Sequence, residues 1–266
     1  MKANQENIPR QEIEKIHPIY SAMLQEMQQQ ASPDRAVVSS RFFKTRPGEY
    51  SEGDVFVGIS VPQLRTIAKK YYTILTLKEI TTLLQSQEHE YRALALIMLT
   101  HIYARGDILV KKEVFEVYCS HTVHINNWDL VDVSVASIVG QYLFIDSEDA
   151  RAKIALKKLH TFSQSASLWE RRIAIVATHA AIKTGEHVPT FEIVTRLLHD
   201  EHDLIHKACG WMLREVGRYC GHAILKTFLD IHAGVMPRTM LRYALEHFPK
   251  TARAHYMQQK KLKTKK

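Results

Sequence analysis

Three six-residue stretches decide the fold: Tyr91-Arg92-Ala93-Leu94-Ala95-Leu96, Val131-Asp132-Val133-Ser134-Val135-Ala136 and Arg171-Arg172-Ile173-Ala174-Ile175-Val176. They align without gaps, and their charged members Arg92, Asp132 and Arg172 recur every 40 residues. A fourth copy, His206-Lys207-Ala208-Cys209-Gly210-Trp211, puts Lys207 in the same slot 35 residues later. Such a period marks stacked helix pairs, because one pair cannot bury its own apolar face and packs on the next.

The rest of the chain reads the same way. Apolar residues fall at three- and four-residue steps in 13–27, 64–74, 94–103, 131–143, 173–182, 191–198, 208–216 and 241–248, which is helical periodicity. Short joints with breakers or polar residues separate these runs, among them 31–34, 105–107, 146–148, 183–186 and 234–237. Only Val55 to Ile59 reads as extended, after one long loop over 46–54. With 10 Gly and 8 Pro in 266 residues, the turns that an all-β chain needs are missing. The fold expected is all-α, a curved solenoid of helical repeats, with one domain over 1–248 and a basic tail over 249–266 that is partly disordered.

The formal net charge of +8 suggests a polyanion as partner. Most of it sits in the tail, where seven basic residues and no acidic ones follow Phe248, leaving 29 basic against 28 acidic residues before it. Placement therefore counts for more than the total. Three cysteines with no C-x-x-C pair argue against a disulfide framework and a zinc ribbon. No signal peptide and no membrane span is read, so a cytoplasmic protein is expected. His202 and His206 share a helix face at i, i+4, but no third ligand accompanies them, and a capping turn is the expected use.

In a helical solenoid the second helices line one face, so Arg92, Asp132, Arg172 and Lys207 would form a row. An inter-repeat ion ladder is one account of it. Two of the three tryptophans add another: Trp128 lies four residues before Asp132 and Trp211 four after Lys207, each on the same helix face as its charged neighbour. Trp169 is expected to pack at a helix start, the alternative being a place on the rim of the groove. Indoles beside a carboxylate and cations compose a site that can hold a cation against aromatic faces while gripping phosphates.

The blocks Trp128-Asp129-Leu130-Val131-Asp132, Trp169-Glu170-Arg171-Arg172 and Lys207-Ala208-Cys209-Gly210-Trp211-Met212-Leu213-Arg214-Glu215 resemble those of the AlkD-like DNA alkylation repair enzymes, the HEAT-like-repeat DNA glycosylases. The resemblance spans roughly residues 15 to 250 and keeps block order and spacing. It implies that Asp132 is the catalytic carboxylate, that Trp128 and Trp211 flank the lesion, and that Arg172 grips the DNA backbone. It also implies excision of cationic N3- and N7-alkylated purines from double-stranded DNA, without metal or cofactor and without base flipping. The early aromatic of the family, often Tyr, matches Phe42 here.

The chemistry agrees with those residues on its own terms. A cationic alkylpurine is already a good leaving group, so the protein has to stabilise charge developing on the sugar, which an ionised Asp132 can do. Indole faces add roughly 0.5–2 kcal/mol each. Arg172, Lys207, Arg92 and Arg214 would hold phosphates. The protein is expected to act as a monomer and not at a membrane. Two rivals share the same residues: a solenoid that binds nucleic acid without chemistry, and a protein-binding scaffold in which the row is an ion ladder.

Overall fold

The computed structural model describes residues 18–146 and 153–259, so the sequence patterns at 13–17, 147–152 and 260–266 lie outside the described residues. The chain divides into two compact units, Met1–His101 and Ile102–Lys266, where the sequence reads as one domain. The division falls inside a helix.

In the first unit α1 (Pro18–Gln30), α2 (Pro33–Phe42), α3 (Val61–Tyr71) and α4 (Leu77–Leu84) precede α5 (His89–Arg105), which runs across the division. Local signals set the boundaries. Pro33 opens α2 after the Ser32 cap, and Thr76 with Glu79 forms a reciprocal capping box at α4. The loop after α2 is pinned from beneath, because the buried Glu90 carboxylate accepts the backbone N–H groups of Val57 at 3.0 Å and Gly58 at 2.8 Å. Gly58 has φ +80°, and a β-carbon there would stand 2.1 Å from the Ser32 carbonyl oxygen. Of the extended run expected at 55–59, one parallel bridge forms, Val55 to Glu88; Glu90 takes two of the N–H groups a strand partner would use.

The second unit contains α6 (Ile108–Ser120), a 3-10 turn (Thr122–His124), α7 (Trp128–Ser134), α8 (Lys153–Ser163), α9 (Leu168–Ala177), α10 (His179–Lys183), α11 (Val188–Leu197), α12 (Asp203–Tyr219), α13 (His222–His232), α14 (Arg238–Ala244) and α15 (Lys250–Gln258). Helix α7 continues as π-helical turns over Ala136–Gly140 and Tyr142–Asp146. Helix α9 packs against α7, α8 and α12, and α12 packs most extensively against α14. The stretches aligned at 131–136, 171–176 and 206–211 thus lie on neighbouring helices, as a repeat array requires. The fold is all-α, with stacked helical repeats.

Two glycines set helix spacing in this unit. A β-carbon on Gly140 would meet the Ala177 carbonyl oxygen at 2.3 Å, and one on Gly210 would meet the Met240 carbonyl oxygen and Tyr243 Cβ at 2.5 Å. Only a residue without a side chain lets these backbones approach so closely.

The run Trp128–Asp146 is a 19-residue helix with hydropathy 1.3, long and apolar enough to cross a membrane by length and composition, although no span is read from the sequence. Its Leu130, Val131, Ile138, Val139 and Leu143 are buried in the unit, which is where its hydropathy is used. The expected tail is in part a helix: within α15, Tyr256 is 2% exposed and donates to Asp230 at 2.6 Å. An aromatic anchor at i, i+6 from Lys250 is hard to see amid a run of cations.

Candidate functional site

Helix α7 begins after Asn127, a fully buried residue whose side-chain oxygen accepts the Trp128 N–H at 2.8 Å. That fixes where the helix starts and hence which face carries Trp128 and, one turn on, Asp132. Both side chains are half-buried. Trp211 on α12 is likewise half-buried, whereas Trp169 is buried, in the packing role expected of it.

Asp132 is met from the next repeat. Arg172 on α9 donates from Nε to one carboxylate oxygen at 2.9 Å and from a terminal nitrogen to the other at 2.7 Å. Its remaining terminal nitrogen donates to the Leu204 carbonyl oxygen at 2.8 Å, in the first turn of α12. One guanidinium therefore ties α7 to the start of the helix that bears Lys207 and Trp211. The Arg172 side chain is 6% exposed and that of Asp132 21%, so the arginine is the buried partner and the carboxylate keeps an edge open. Burial pushes the Asp132 carboxyl above the usual aspartate range; the Arg172 guanidinium pulls against that rise and Asp129 adds to it.

This geometry places Arg172 differently from the phosphate grip implied by resemblance. Its three nitrogens are committed to Asp132 and Leu204, which makes it a positioning residue in this structure. It also realises the ion-ladder account of the row at one rung, Asp132 to Arg172.

Lys207 pairs with Asp203 at 2.8 Å, one turn back on α12. Arg214 bonds Glu215 at 3.1 Å and also Glu246. Lys207 and Arg214 line an open cleft of about 710 Å³ together with Asp203, Thr239, Arg242, Tyr243 and Glu246. An anion entering it would meet three cations and two carboxylates. Arg242 had no motif to single it out in the sequence.

Arg92 lies elsewhere, in the first unit up to His101, and its bonding corrects the sequence register. It is 4% exposed, and one terminal nitrogen donates to the carbonyls of Ser86 at 2.9 Å and Gln87 at 2.8 Å while the other meets Asp54. Arg171, not Arg172, repeats this clasp: it donates to the carbonyls of Ser165 at 3.1 Å and Ala166 at 3.0 Å and pairs with Asp200. His206 does likewise, with Nε2 on the Asp200 carbonyl. Arg92 thus belongs one residue out of step with Asp132 and Arg172, staples its own helix start, and has no free face to offer a phosphate. Burial raises the Asp54 carboxyl, but hydrogen bonds from His89 and the charge of Arg92 outweigh this and hold it below the usual range.

Phe42 closes α2 in the first unit and is 64% exposed. His202 does cap α12, its Nδ1 accepting the Leu204 N–H at 3.1 Å. Sequence reasoning missed His179, whose ring lies 6.0 Å from Trp211 and which also meets Tyr219. Burial holds His179 below the usual histidine range. It opens α10, with one residue between it and the end of α9, and no motif in the sequence singles it out.

A family model described as DNA alkylation repair enzyme matches residues 23–248. A solved structure from Enterococcus faecalis, described as a predicted DNA alkylation repair enzyme, is 19% identical over 83% of this chain and 98% of its own, with a TM-score of 0.62. At that identity the likeness supports the fold. No curated protein matches the chain.

Proposed function

The chain belongs to the DNA alkylation repair enzyme family, and from that premise we propose that it is a DNA glycosylase that removes cationic N3- and N7-alkylated purines from duplex DNA. The observation that carries this reading is the partly exposed Asp132 carboxylate, held by both oxygens on Arg172 and sharing its helix face with Trp128.

The reaction needs no strong acid. As the bond from the sugar anomeric carbon to the purine nitrogen breaks, its electron pair flows into the ring and cancels the positive charge of the alkylated base. Positive charge appears on the sugar, where the Asp132 carboxylate stabilises it. Water adds to the anomeric carbon and loses a proton, leaving a free base and an abasic sugar. A carboxyl raised by burial is a better acceptor for that proton than an ordinary aspartate. Arg172 keeps both oxygens oriented, since a bidentate pair fixes the plane as well as the position of the carboxylate. Trp128 and Trp211 offer their negative faces to the cationic lesion. Half-exposed indoles on helix surfaces suit a lesion that stays in the duplex, in contrast to the enclosed pocket of enzymes that flip the base.

A second reading keeps DNA as the partner without chemistry, with the Asp132–Arg172 pair as an inter-repeat rung. That pair is the specific observation in its favour. Free base released from DNA containing N7-methylguanine or N3-methyladenine supports the first reading; duplex binding with no base release supports the second.

A further inference from the structure

Residues 35–48 contain four cations, Arg35, Arg41, Lys44 and Arg46, and no carboxylate. Arg35 is used inside the fold, its guanidinium donating to the carbonyls of Gly58 at 2.8 Å and Gln30 at 3.2 Å. The other three are exposed and line one open cleft of about 590 Å³ with Ser40, Thr45 and Glu49. Among the described residues, none of the three is ion-paired with a carboxylate.

Glu49, in the cleft lining, and Glu52 turn their carboxylates to the loop backbone. Glu49 accepts the Arg46 N–H at 2.9 Å and Glu52 accepts the Gly48 N–H at 2.8 Å. Asp54 is buried with His89 and Arg92. The loop is thus tied down while its cations stay exposed, with the Lys44 ammonium 6.0 Å from the centre of the Tyr50 ring. Arg41, in the last turn of α2, also offsets the helix dipole, but that accounts for neither Lys44 nor Arg46.

Lys44 is the sharpest feature. Among the described residues it alone, glycines aside, has a left-handed backbone, at φ +57°. Helices commonly end on glycine in this conformation because a β-carbon strains it. The turn holds through Thr45 N–H to the Ser40 carbonyl and Ser51 N–H to the Lys44 carbonyl, both at 3.3 Å. Glycine would satisfy the turn with less strain, whereas lysine keeps a cation in the cleft. An outlier of this kind points to function.

We propose that the Arg41, Lys44 and Arg46 cleft grips the phosphates of the duplex DNA backbone, as a contact made by the first unit. This rests on DNA as the partner. An open cleft with three exposed cations and no buried donor matches neutralisation of a backbone, which needs charge and no enclosed anion cage.

The test compares the full chain with a triple variant, Arg41→Gln, Lys44→Gly, Arg46→Gln, in duplex binding by fluorescence anisotropy across a salt series. Lys44→Gly alone serves as the fold control, since it relieves the strained backbone and should not lower the melting temperature. The triple variant is expected to bind at least about tenfold more weakly at low salt, with a log–log salt slope shallower by about 2–3. Base release by the wild type is measured alongside. An unchanged slope in a variant of a protein that binds duplex overturns the cleft and leaves the excision reading standing. Wild type that fails to bind duplex overturns both, and a shallower slope without base release overturns excision alone. Variant-sensitive binding of inorganic phosphate or of anionic phospholipid vesicles, with duplex binding intact, also overturns the cleft as a DNA contact.

Discussion

Arg172 grips both carboxylate oxygens of Asp132 from 40 residues away and, with its third nitrogen, the Leu204 carbonyl oxygen. One side chain thereby sets the orientation of the proposed catalytic group and its relation to α12.

Removing that grip should separate stability from chemistry. Arg172→Ala leaves a largely buried carboxylate without its partner, which costs up to about 3 kcal/mol in urea denaturation, at the low end for broken buried pairs because Asp132 keeps an open edge. Arg172→Lys keeps the charge but not the two-pronged geometry. It should recover most of the stability while single-turnover base release stays well below wild type. Equal recovery of both would reduce Arg172 to a source of charge.

Two carboxyls give opposite pH signatures. The folded value of Asp132 is raised, so its stabilising contribution is present below the unfolded value of about 3.9 and is lost as pH rises through the folded value. That of Asp54 is lowered, so its contribution is present above the same reference and is lost as pH falls through its folded value. Asp54→Asn should therefore flatten the acid limb of a stability–pH curve. The acid limb of base release by wild type should have its midpoint above about 3.9. A midpoint at or below that value would contradict the burial of Asp132.

Gly210→Ala introduces a β-carbon where Met240 and Tyr243 stand at 2.5 Å. Overpacking of this sort costs about 1–3 kcal/mol. Because Trp211 is the next residue, base release should fall even at temperatures where the variant is folded, as judged by circular dichroism. Wild-type activity in a destabilised variant would show that the spacing of α12 and α14 does not place the indole.

Each indole should contribute separately. Trp128→Ala and Trp211→Ala should slow release of a cationic base by about 2- to 30-fold each, as expected from roughly 0.5–2 kcal/mol per aromatic face. Rates measured at saturating enzyme isolate that effect from weaker binding.

The repeat was legible because helix stacking forces a period onto the apolar pattern, and the stretches at 131–136, 171–176 and 206–211 do lie on neighbouring helices. The 40-residue separation of Asp132 and Arg172 was visible in the same way, and so was the ladder account of it. Arg92 was misread for a physical reason: a cation at a helix start has the same pattern whether it faces outward or clasps carbonyls five and six residues back, as Arg92 and Arg171 do. The Asp54 partner that buries Arg92 comes from an irregular loop with no period to reveal it. The π-helical turns after α7 depend on backbone hydrogen bonding, which apolar periodicity does not encode.

The central claim is that Asp132 performs the chemistry. Single-turnover base release from N7-methylguanine duplex should be measured for wild type beside Asp132→Asn, with duplex affinity recorded for both. The account predicts release by wild type, a loss of about a hundredfold or more in the variant, as for removal of one charge-stabilising group from an active site, and retained binding. Equal release by the two proteins, or none by wild type, would contradict it.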